Sequence, residues 1–429
     1  MGEKLYLIVD LGGYKVRMGI VTDKIKLVAY IEKKFINVVI KNKFNLFING
    51  GKVIWNAKKF FDYLAEMLEE LYREIDDYSK ISRVYIILSG LAFTYKITKG
   101  HLEYDSSRKL NDIHIHQLIE KARKNVTYDK YKEKLTHFYV KKYILGDYKE
   151  YLIEPPINRS VLNVSCEVLY TLISNNYIED LINFFHQTTG VKDKNIYFLS
   201  QILLASNLLT HLLPGDKDTI HIHIGHTSTD ISIIQKNIIE KIICYRWSGK
   251  DINKDIVNYF GEIPIKKADE LKIKEGIGYI KNVTQMDKLI YSDEFSTSRK
   301  EIKKGLLCRV IQAKLEDIFL YISSKMQSIL ADFPNFNLKD VYLSGGQSQL
   351  KGIETLLKEI WGCEIKKPKI DFTDLNIDIN DFSGTYDFSK QEYYPFIGCL
   401  HALTDSKDTY IKPIKIGILK KIFSLLRIS

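Results

Sequence analysis

The chain has 429 residues, of which 45% are hydrophobic and 27% charged, a composition that excludes an intrinsically disordered protein. Only 24 glycines and 8 prolines are present and they follow no period, which excludes collagen-like and low-complexity architectures. The formal charge is +10, but the lysines are spread along the chain, so we expect no nucleic-acid partner.

The cysteines and apolar segments indicate the compartment in which the protein works. Five single cysteines without C-x-x-C spacing argue against a disulfide framework or a structural zinc site and favour a reducing cytoplasm. The chain starts Met1-Gly2-Glu3-Lys4 and runs directly into an apolar stretch, so we expect no secretory signal. No window holds about 18 uninterrupted apolar residues, so we expect no transmembrane helix.

The first predicted element is a β-hairpin over Leu5 to Ile20. A buried strand ends in Asp10, a turn with Gly12 and Gly13 follows, and a second strand alternates apolar and polar residues. Glycines let backbone N–H groups approach an anion closely, and Asp10 could hold a hydrated cation. An ordinary hairpin with an aspartate before two glycines has the same pattern, so both interpretations stay open at this point.

Two later segments carry related patterns. Thr219 to Ile234 again predicts a strand, a short polar turn and a strand, which indicates a duplicated architecture with two related lobes. Val341 to Ile353 predicts a strand that ends in Ser344-Gly345-Gly346 and leads into an amphipathic helix through Trp361. A glycine pair at such a turn lets the backbone lie flat against a ligand ring.

The end of the chain predicts an amphipathic helix over residues 416–429, after a polar linker. One face is apolar and the other is basic, and between Ile411 and Ser429 there are five basic residues and no acidic one. Such a helix suits the surface of an anionic bilayer, although docking on the protein's own core or in a partner's groove is an alternative. The predicted membrane residues are Ile418, Leu419, Lys420, Lys421, Ile422, Phe423, Leu425, Leu426 and Arg427.

Together, the two hairpins and the glycine pair resemble the phosphate-1, phosphate-2 and adenosine motifs of the actin, heat-shock-chaperone and sugar-kinase ATPase superfamily. Within it, the chain resembles the cell-division family FtsA over essentially its whole length. The segments that carry this resemblance are Ile81–Gly90, Ile113–Lys124, His137–Pro156, Trp247–Ile252, Ala268–Gly276 and Tyr393–Leu403.

The resemblance implies an α/β, actin-like, two-lobed fold with a 1C insertion subdomain and a C-terminal amphipathic helix. The implied divisions are 1A at 1–82, 160–200 and 390–403; 1C at 83–159; 2A at 201–246 and 307–389; 2B at 247–306; a linker at 404–415; and the membrane helix at 416–429.

The resemblance also implies a site for ATP and Mg²⁺. Asp10 would orient the hydrated metal, and the phosphates would lie against the turns Gly12, Gly13, Tyr14, Lys15 and Gly225, His226, Thr227, Ser228. Asp269 and Lys272 would lie near the ribose, with Gly345, Gly346 and Gln347 near the adenosine. The family usually has aspartate where His223 stands and two glycines where His226 and Thr227 stand, so we expect ATP binding with weak or absent hydrolysis.

The implied function is a scaffold that polymerises on the inner face of the cell membrane at the division site and tethers the tubulin-like protein FtsZ. In the family, the C-terminal tail of FtsZ docks on the lobe that here spans about Trp247 to Leu306, and other division proteins contact subdomain 1C. The sequence itself displays no motif for these partners.

Several alternatives remain open at this stage. A PilM-like type IV pilus assembly protein would share the fold and the insertion, and a sugar or metabolite kinase would need a carboxylate base in the cleft. MreB fits less well, because Arg83 to Arg159 resembles subdomain 1C. His221 and His223 share a strand face, as in some metal hydrolases, but no further side chains complete a ligand set.

Overall fold

The computed structural model describes residues 3–34, 57–146, 150–213, 215, 217–261, 263–293, 300–373 and 375–404. The predicted membrane helix at 416–429 lies outside these residues, as does the predicted linker at 404–415 except for Thr404, which ends the last helix. No helix in the described ranges is both long enough and apolar enough to cross a membrane.

The strands are bounded as follows in chain order: β1 Leu5–Leu11, β2 Lys15–Thr22, β3 Leu27–Lys34, β4 Ile81–Leu88, β5 Phe93–Lys109, β6 Glu133–Leu145, β7 Glu150–Leu152, β8 Ser160–Ser174, β9 Ile196–Ser200, β10 Thr219–Ile224, β11 Thr229–Gln235, β12 Ile238–Tyr245, β13 Leu289–Asp293, β14 Lys300–Lys303, β15 Asp340–Ser344 and β16 Glu364–Lys366.

The α-helices are α1 Ala57–Tyr72, α2 Asp112–Lys124, α3 Asn175–Thr189, α4 Gln201–Leu212, α5 Gly249–Phe260, α6 Ile265–Glu275, α7 Lys304–Leu330, α8 Ile353–Trp361 and α9 Tyr394–Thr404. Several begin or end at residues that suit helix termini. Asn111 caps α2 by accepting a hydrogen bond from the His114 N–H, and Gly362 ends α8 in the left-handed conformation.

The described chain divides into two compact units. The larger contains residues 1–94 and 174–404, and the smaller contains Tyr95–Ile173. The smaller unit is a four-stranded sheet of order β5-β8-β6-β7, on which α2 packs through buried Leu118 and Ala122 against a core that includes Val164 and Tyr170. The subdomain boundaries expected from the sequence stay predictions.

The larger unit contains two five-stranded sheets with the same plan. Their orders are β3-β2-β1-β4-β9 and β12-β11-β10-β15-β16, and in each a three-strand antiparallel meander continues into parallel pairs. The duplicated architecture and both predicted hairpins are therefore confirmed. The central strands β1 and β10 are buried along almost their whole length, as expected when helices cover both faces of a sheet.

Candidate functional site

A cavity of about 280 Å³ lies in the larger unit, where the hairpin turns of the two sheets meet. We call Gly12–Lys15 the first tip and Gly225–Ser228 the second tip. Both tips line the cavity, as do four further residues expected from the sequence: Asp10, Asp269, Gly346 and Gln347. Two expected residues, Lys272 and Gly345, do not line the cavity but lie directly behind it.

The two tips are in direct contact. A Cβ atom added to Gly13 would lie 2.4 Å from the Thr227 side chain, and the rings of Tyr14 and His226 have centroids 5.5 Å apart. Beside them, the hydroxyl of Ser228 lies 2.9 Å from that of Ser89. Only a glycine at position 13 allows this approach, so in this structure the tips leave no gap between them.

Five charged side chains lie together at the cavity, and we call them the charge cluster: Asp10, Lys15, Arg17, Glu32 and Glu392. All of them except Glu32 line the cavity. The Arg17 guanidinium is buried and donates to Asp10 from Nη1 at 3.0 Å and to Glu392 from Nη2 at 2.8 Å. Its Nε lies 3.4 Å from Glu32 and has no hydrogen-bond partner. Lys15 completes the cluster, 2.8 Å from Glu32 and 3.2 Å from Glu392.

Burial shapes the charge states in this cluster. Burial alone would lower the pKa of Arg17, but Asp10, Tyr30 and the two glutamates raise it, which keeps the guanidinium charged. Burial raises the pKa of Asp10, against the opposing effect of Arg17. The cluster therefore holds a permanent cation against Asp10.

His223, where the family usually has aspartate, is a buried neutral imidazole. Burial, with a smaller effect of Arg17, lowers its pKa to about 3. Its Nδ1 lies 2.8 Å from the Ser344 hydroxyl, which is also 2.7 Å from Nε2 of His221. The chain continues from His221 Nδ1 to the hydroxyl of Ser206 at 2.8 Å and on to Ser232.

On the far side of the second tip, α6 supplies a buried ion pair. Lys272 Nζ lies 3.2 Å from Asp269, and the Asn253 amide donates to the same carboxylate at 2.8 Å. Burial alone would raise the pKa of Asp269, but Lys272, Asn253 and Tyr14 together lower it, so the first tip acts electrostatically on α6. Burial, together with the positive charge of Lys272, lowers the pKa of His226 to about 4.

The predicted glycine pair after β15 takes a conformation that requires glycine. Gly345 has φ +87°, and a Cβ there would lie 2.5 Å from the carbonyl oxygen of Ile224. The turn therefore packs backbone to backbone against the end of β10. The side chain of Gln347 packs closely against Gly249, at the start of α5. A Cβ atom added to Gly249 would lie 2.4 Å from the side-chain amide carbon of Gln347.

Asp230, directly across the hairpin from His223, is a buried acid that the sequence analysis missed. Its Oδ2 accepts hydrogen bonds from Gln201 Nε2 at 2.7 Å and from the Gly90 N–H at 3.2 Å, while Oδ1 has no partner. Burial raises its pKa to about 6, although these hydrogen bonds oppose the shift.

The residues present do not fit a Mg²⁺ ion held by Asp10. Its carboxylate is paired with Arg17, and His223, which lines the same cavity, is an uncharged imidazole where the family usually has a second carboxylate. Within the described ranges there is no group of three or more histidine, cysteine or acidic side chains that could hold a metal ion.

Other cavity residues were also missed, and their signals differ. Arg17 is the register partner of Asp10 in the first hairpin, so the sequence alone could have placed it there. Glu392 comes from a distant segment and Lys34 lies outside any motif, whereas Gln349 lies within the segment Val341 to Ile353 but was not singled out. The full set of missed lining residues is Arg17, Lys34, Gln201, Ile273, Gln349, Glu392 and Pro395, with His223 noted only as a departure from the family.

Comparison with known proteins gives a family match for part of the chain and a fold for nearly the whole of it. Residues 220–384 match the family model described as cell division protein FtsA. No curated protein matches the chain significantly. Among solved structures, a chain of the "PilM-PilN type IV pilus biogenesis complex" is 14% identical with a TM-score of 0.60, covering 94% of this chain and 99% of that one.

A second solved structure, MreB5 of Spiroplasma citri bound to ADP, is 11% identical with a TM-score of 0.50, covering 92% of this chain and 95% of that one. At such identities these likenesses concern the fold, which is the actin-like fold expected from the sequence. The match to the FtsA family model therefore covers residues 220–384 of a chain whose fold is actin-like.

Proposed function

We propose that this protein is an actin-like cell-division scaffold that binds an adenine nucleotide, polymerises on the inner face of the cell membrane and tethers FtsZ there. The observation that carries the proposal is the FtsA match over residues 220–384, on a chain with the actin-like fold. The matched segment includes the whole of the lobe from Trp247 to Leu306, on which the FtsZ tail docks in the family.

The cavity supports nucleotide binding through its position and its lining. Both tips offer backbone N–H groups of the kind that bind phosphate, and Lys15 and Lys34 bring positive charge to the first tip. Because Gly13 contacts Thr227, the tips must part before a phosphate chain can lie between them. Nucleotide would therefore favour one spacing of the tips, which is differential binding between two conformations.

We expect hydrolysis to be slow or absent. A nucleotide in this cleft would supply the phosphoryl group and its charge, and the chain would have to position a water molecule against it. The buried imidazole of His223 has a pKa of about 3 and is hydrogen-bonded to Ser344, so it stands in a polar chain that leads away from the cavity. Asp10 is paired with Arg17.

Attachment to the membrane is proposed from the sequence of residues 416–429. A single helix of this length binds an anionic surface weakly, with about 1 kcal/mol for each basic residue near it. Polymerisation would present many such helices on one filament, and the resulting avidity would make attachment stable.

The test is co-sedimentation with vesicles that contain anionic lipid, using the full chain and a version that ends at Pro413, each with and without ATP. We expect only the full chain to pellet, and to pellet more with ATP. Vesicles of zwitterionic lipid are the lipid control, and Lys420→Glu with Lys421→Glu is the matched protein control. A C-terminal peptide of FtsZ, added with a fluorophore, should pellet together with the full chain.

A second candidate is a type IV pilus assembly role, favoured by the likeness to the PilM-PilN structure over nearly the full length of both chains. It differs from the scaffold proposal in its expected behaviour. If the full chain and the version ending at Pro413 both stay in the supernatant and neither binds the FtsZ peptide, the scaffold proposal is wrong and the pilus role is preferred.

A further inference from the structure

The position of Arg17 follows from the first hairpin alone. Asp10 and Arg17 are directly opposed residues on β1 and β2, which are joined by the short first tip. Opposed residues on one face of an antiparallel pair have their Cβ atoms about 5 Å apart, so a guanidinium and a carboxylate there meet without any help from the rest of the fold. The positive charge beside Asp10 is therefore a side chain of the protein, Arg17, and not a bound ion.

The surroundings keep that cation in place. Glu32 and Glu392 approach it from two further sides, and its planar group lies 4.9 Å from the centre of the Tyr393 ring. Three carboxylates and two basic side chains leave the charge cluster with a formal charge of −1. The same carboxylates without Arg17 would give the cluster a charge of −2, a balance that attracts a divalent cation.

Arg17 also faces the cavity and has unused donors. A guanidinium has five N–H bonds, of which Asp10 and Glu392 engage one each, and the buried Nε lies 3.4 Å from Glu32 without forming a hydrogen bond. Arginine binds phosphate oxygens in pairs through this planar fork. Lys15 and Lys34 line the same cavity, so the positive charge needed beside a phosphate chain is supplied by side chains.

We propose that Arg17 is a built-in counter-ion of the cleft, which takes the phosphate chain of a nucleotide without a divalent cation. The proposal deepens the proposed function and rests on its nucleotide site. It accounts for the misfit of Asp10 as a metal ligand, because the place of the metal's positive charge is filled from within the chain.

The first experiment measures ATP affinity by calorimetry in excess EDTA and in excess Mg²⁺. For the natural chain we expect dissociation constants that agree within about twofold. For Arg17→Met we expect at least a tenfold loss in EDTA that Mg²⁺ partly restores. Arg83→Met is the matched control, since Arg83 is a half-buried arginine that stacks on Tyr6 away from the cavity. ATP binding by the natural chain that requires Mg²⁺, or full affinity of Arg17→Met in EDTA, overturns the proposal.

A second measurement, without nucleotide, separates this proposal from the nucleotide site itself. Binding of Mn²⁺ followed by electron paramagnetic resonance should be absent from the cleft of the natural chain and gained in Arg17→Met. If ATP binds in neither buffer, the nucleotide site fails, and the Mn²⁺ result still decides the role of Arg17. Mn²⁺ binding by the natural chain that Asp10→Asn removes, or no gain in Arg17→Met, refutes the counter-ion.

If Arg17→Met does not fold, as judged by circular dichroism, Arg17→Lys takes its place. Lysine keeps the charge but loses the planar fork, so we expect weaker ATP binding that is still independent of Mg²⁺. If both Arg17→Lys and the natural chain require Mg²⁺ to bind ATP, the proposal is contradicted.

Discussion

The buried acid Asp230 makes a prediction about stability and pH. Its pKa is about 6 in the folded chain against an ordinary value of 3.8, and burial is the main cause. At about 1.4 kcal/mol per pH unit, this difference corresponds to about 3 kcal/mol. Because the folded state binds the proton more tightly than the unfolded state, this cost is absent below pH 3.8 and complete well above pH 6.

The substitution Asp230→Asn removes the charge and keeps an oxygen that accepts from Gln201 and Gly90. We therefore expect the variant to be more stable than the natural chain at pH 8, by up to about 3 kcal/mol, and the gain to vanish towards pH 4. The full gain is reduced by any cost of burying the new amide where Oδ1 has no partner.

The assay is urea unfolding between pH 4 and pH 8, followed by the fluorescence of Trp247 and Trp361, which lie in the larger unit. Asp180→Asn, which replaces an exposed aspartate, is the control for the general effect of losing one negative charge. A stability difference between Asp230→Asn and the natural chain that does not change with pH would refute the reasoning, since only the titration of Asp230 makes it vary.

Two further substitutions test the supports behind the cavity. Gly345→Ala should destabilise the larger unit by about 1–3 kcal/mol, because the positive φ of the backbone and the nearby Ile224 carbonyl oppose a Cβ atom. The midpoint of urea unfolding measures this loss of stability, and an unchanged midpoint would contradict the prediction. Lys272→Met should lower the free energy of unfolding by about 3–5 kcal/mol, because it leaves Asp269 buried without its cation. Lys267→Met, on the same helix but more exposed, is the control and should lower it by less than about 1 kcal/mol. Equal losses of stability in the two variants would show that burial of the ion pair is not the cause.

The sequence predicted those parts of the site that depend on local pattern. Both hairpins and the glycine turn after β15 were expected within a few residues of their observed bounds. Strand alternation and turn glycines act over short stretches, so they can be recognised without knowing the rest of the fold. Arg17 belongs to this class too, because hairpin register fixes its partner, but its pattern was overlooked.

Other features depend on contacts between distant segments, and no local pattern indicates them. Glu392 is close to Arg17 only because its loop returns to the first sheet, and Thr227 meets Gly13 only when the two sheets are assembled. The expected metal role of Asp10 was inferred from its place before the glycine turn and from the family resemblance. That inference left out the Arg17 guanidinium, which the same hairpin places against the Asp10 carboxylate.

The hydrogen-bonded chain from Ser232 to His223 has a direction. Ser344 carries one hydroxyl proton but lies between two imidazole nitrogens, so it donates to one ring and must accept from the other. Since Ser206 stands in the same relation to His221 and Ser232, the tautomers of both rings and the orientations of the hydroxyls reverse together. One orientation leaves the remaining nitrogen of His223 a donor and the other leaves it an acceptor. The hydrogen-bonding character of His223 at the cavity wall is therefore coupled to the hydroxyl orientations of the buried serines Ser344, Ser206 and Ser232.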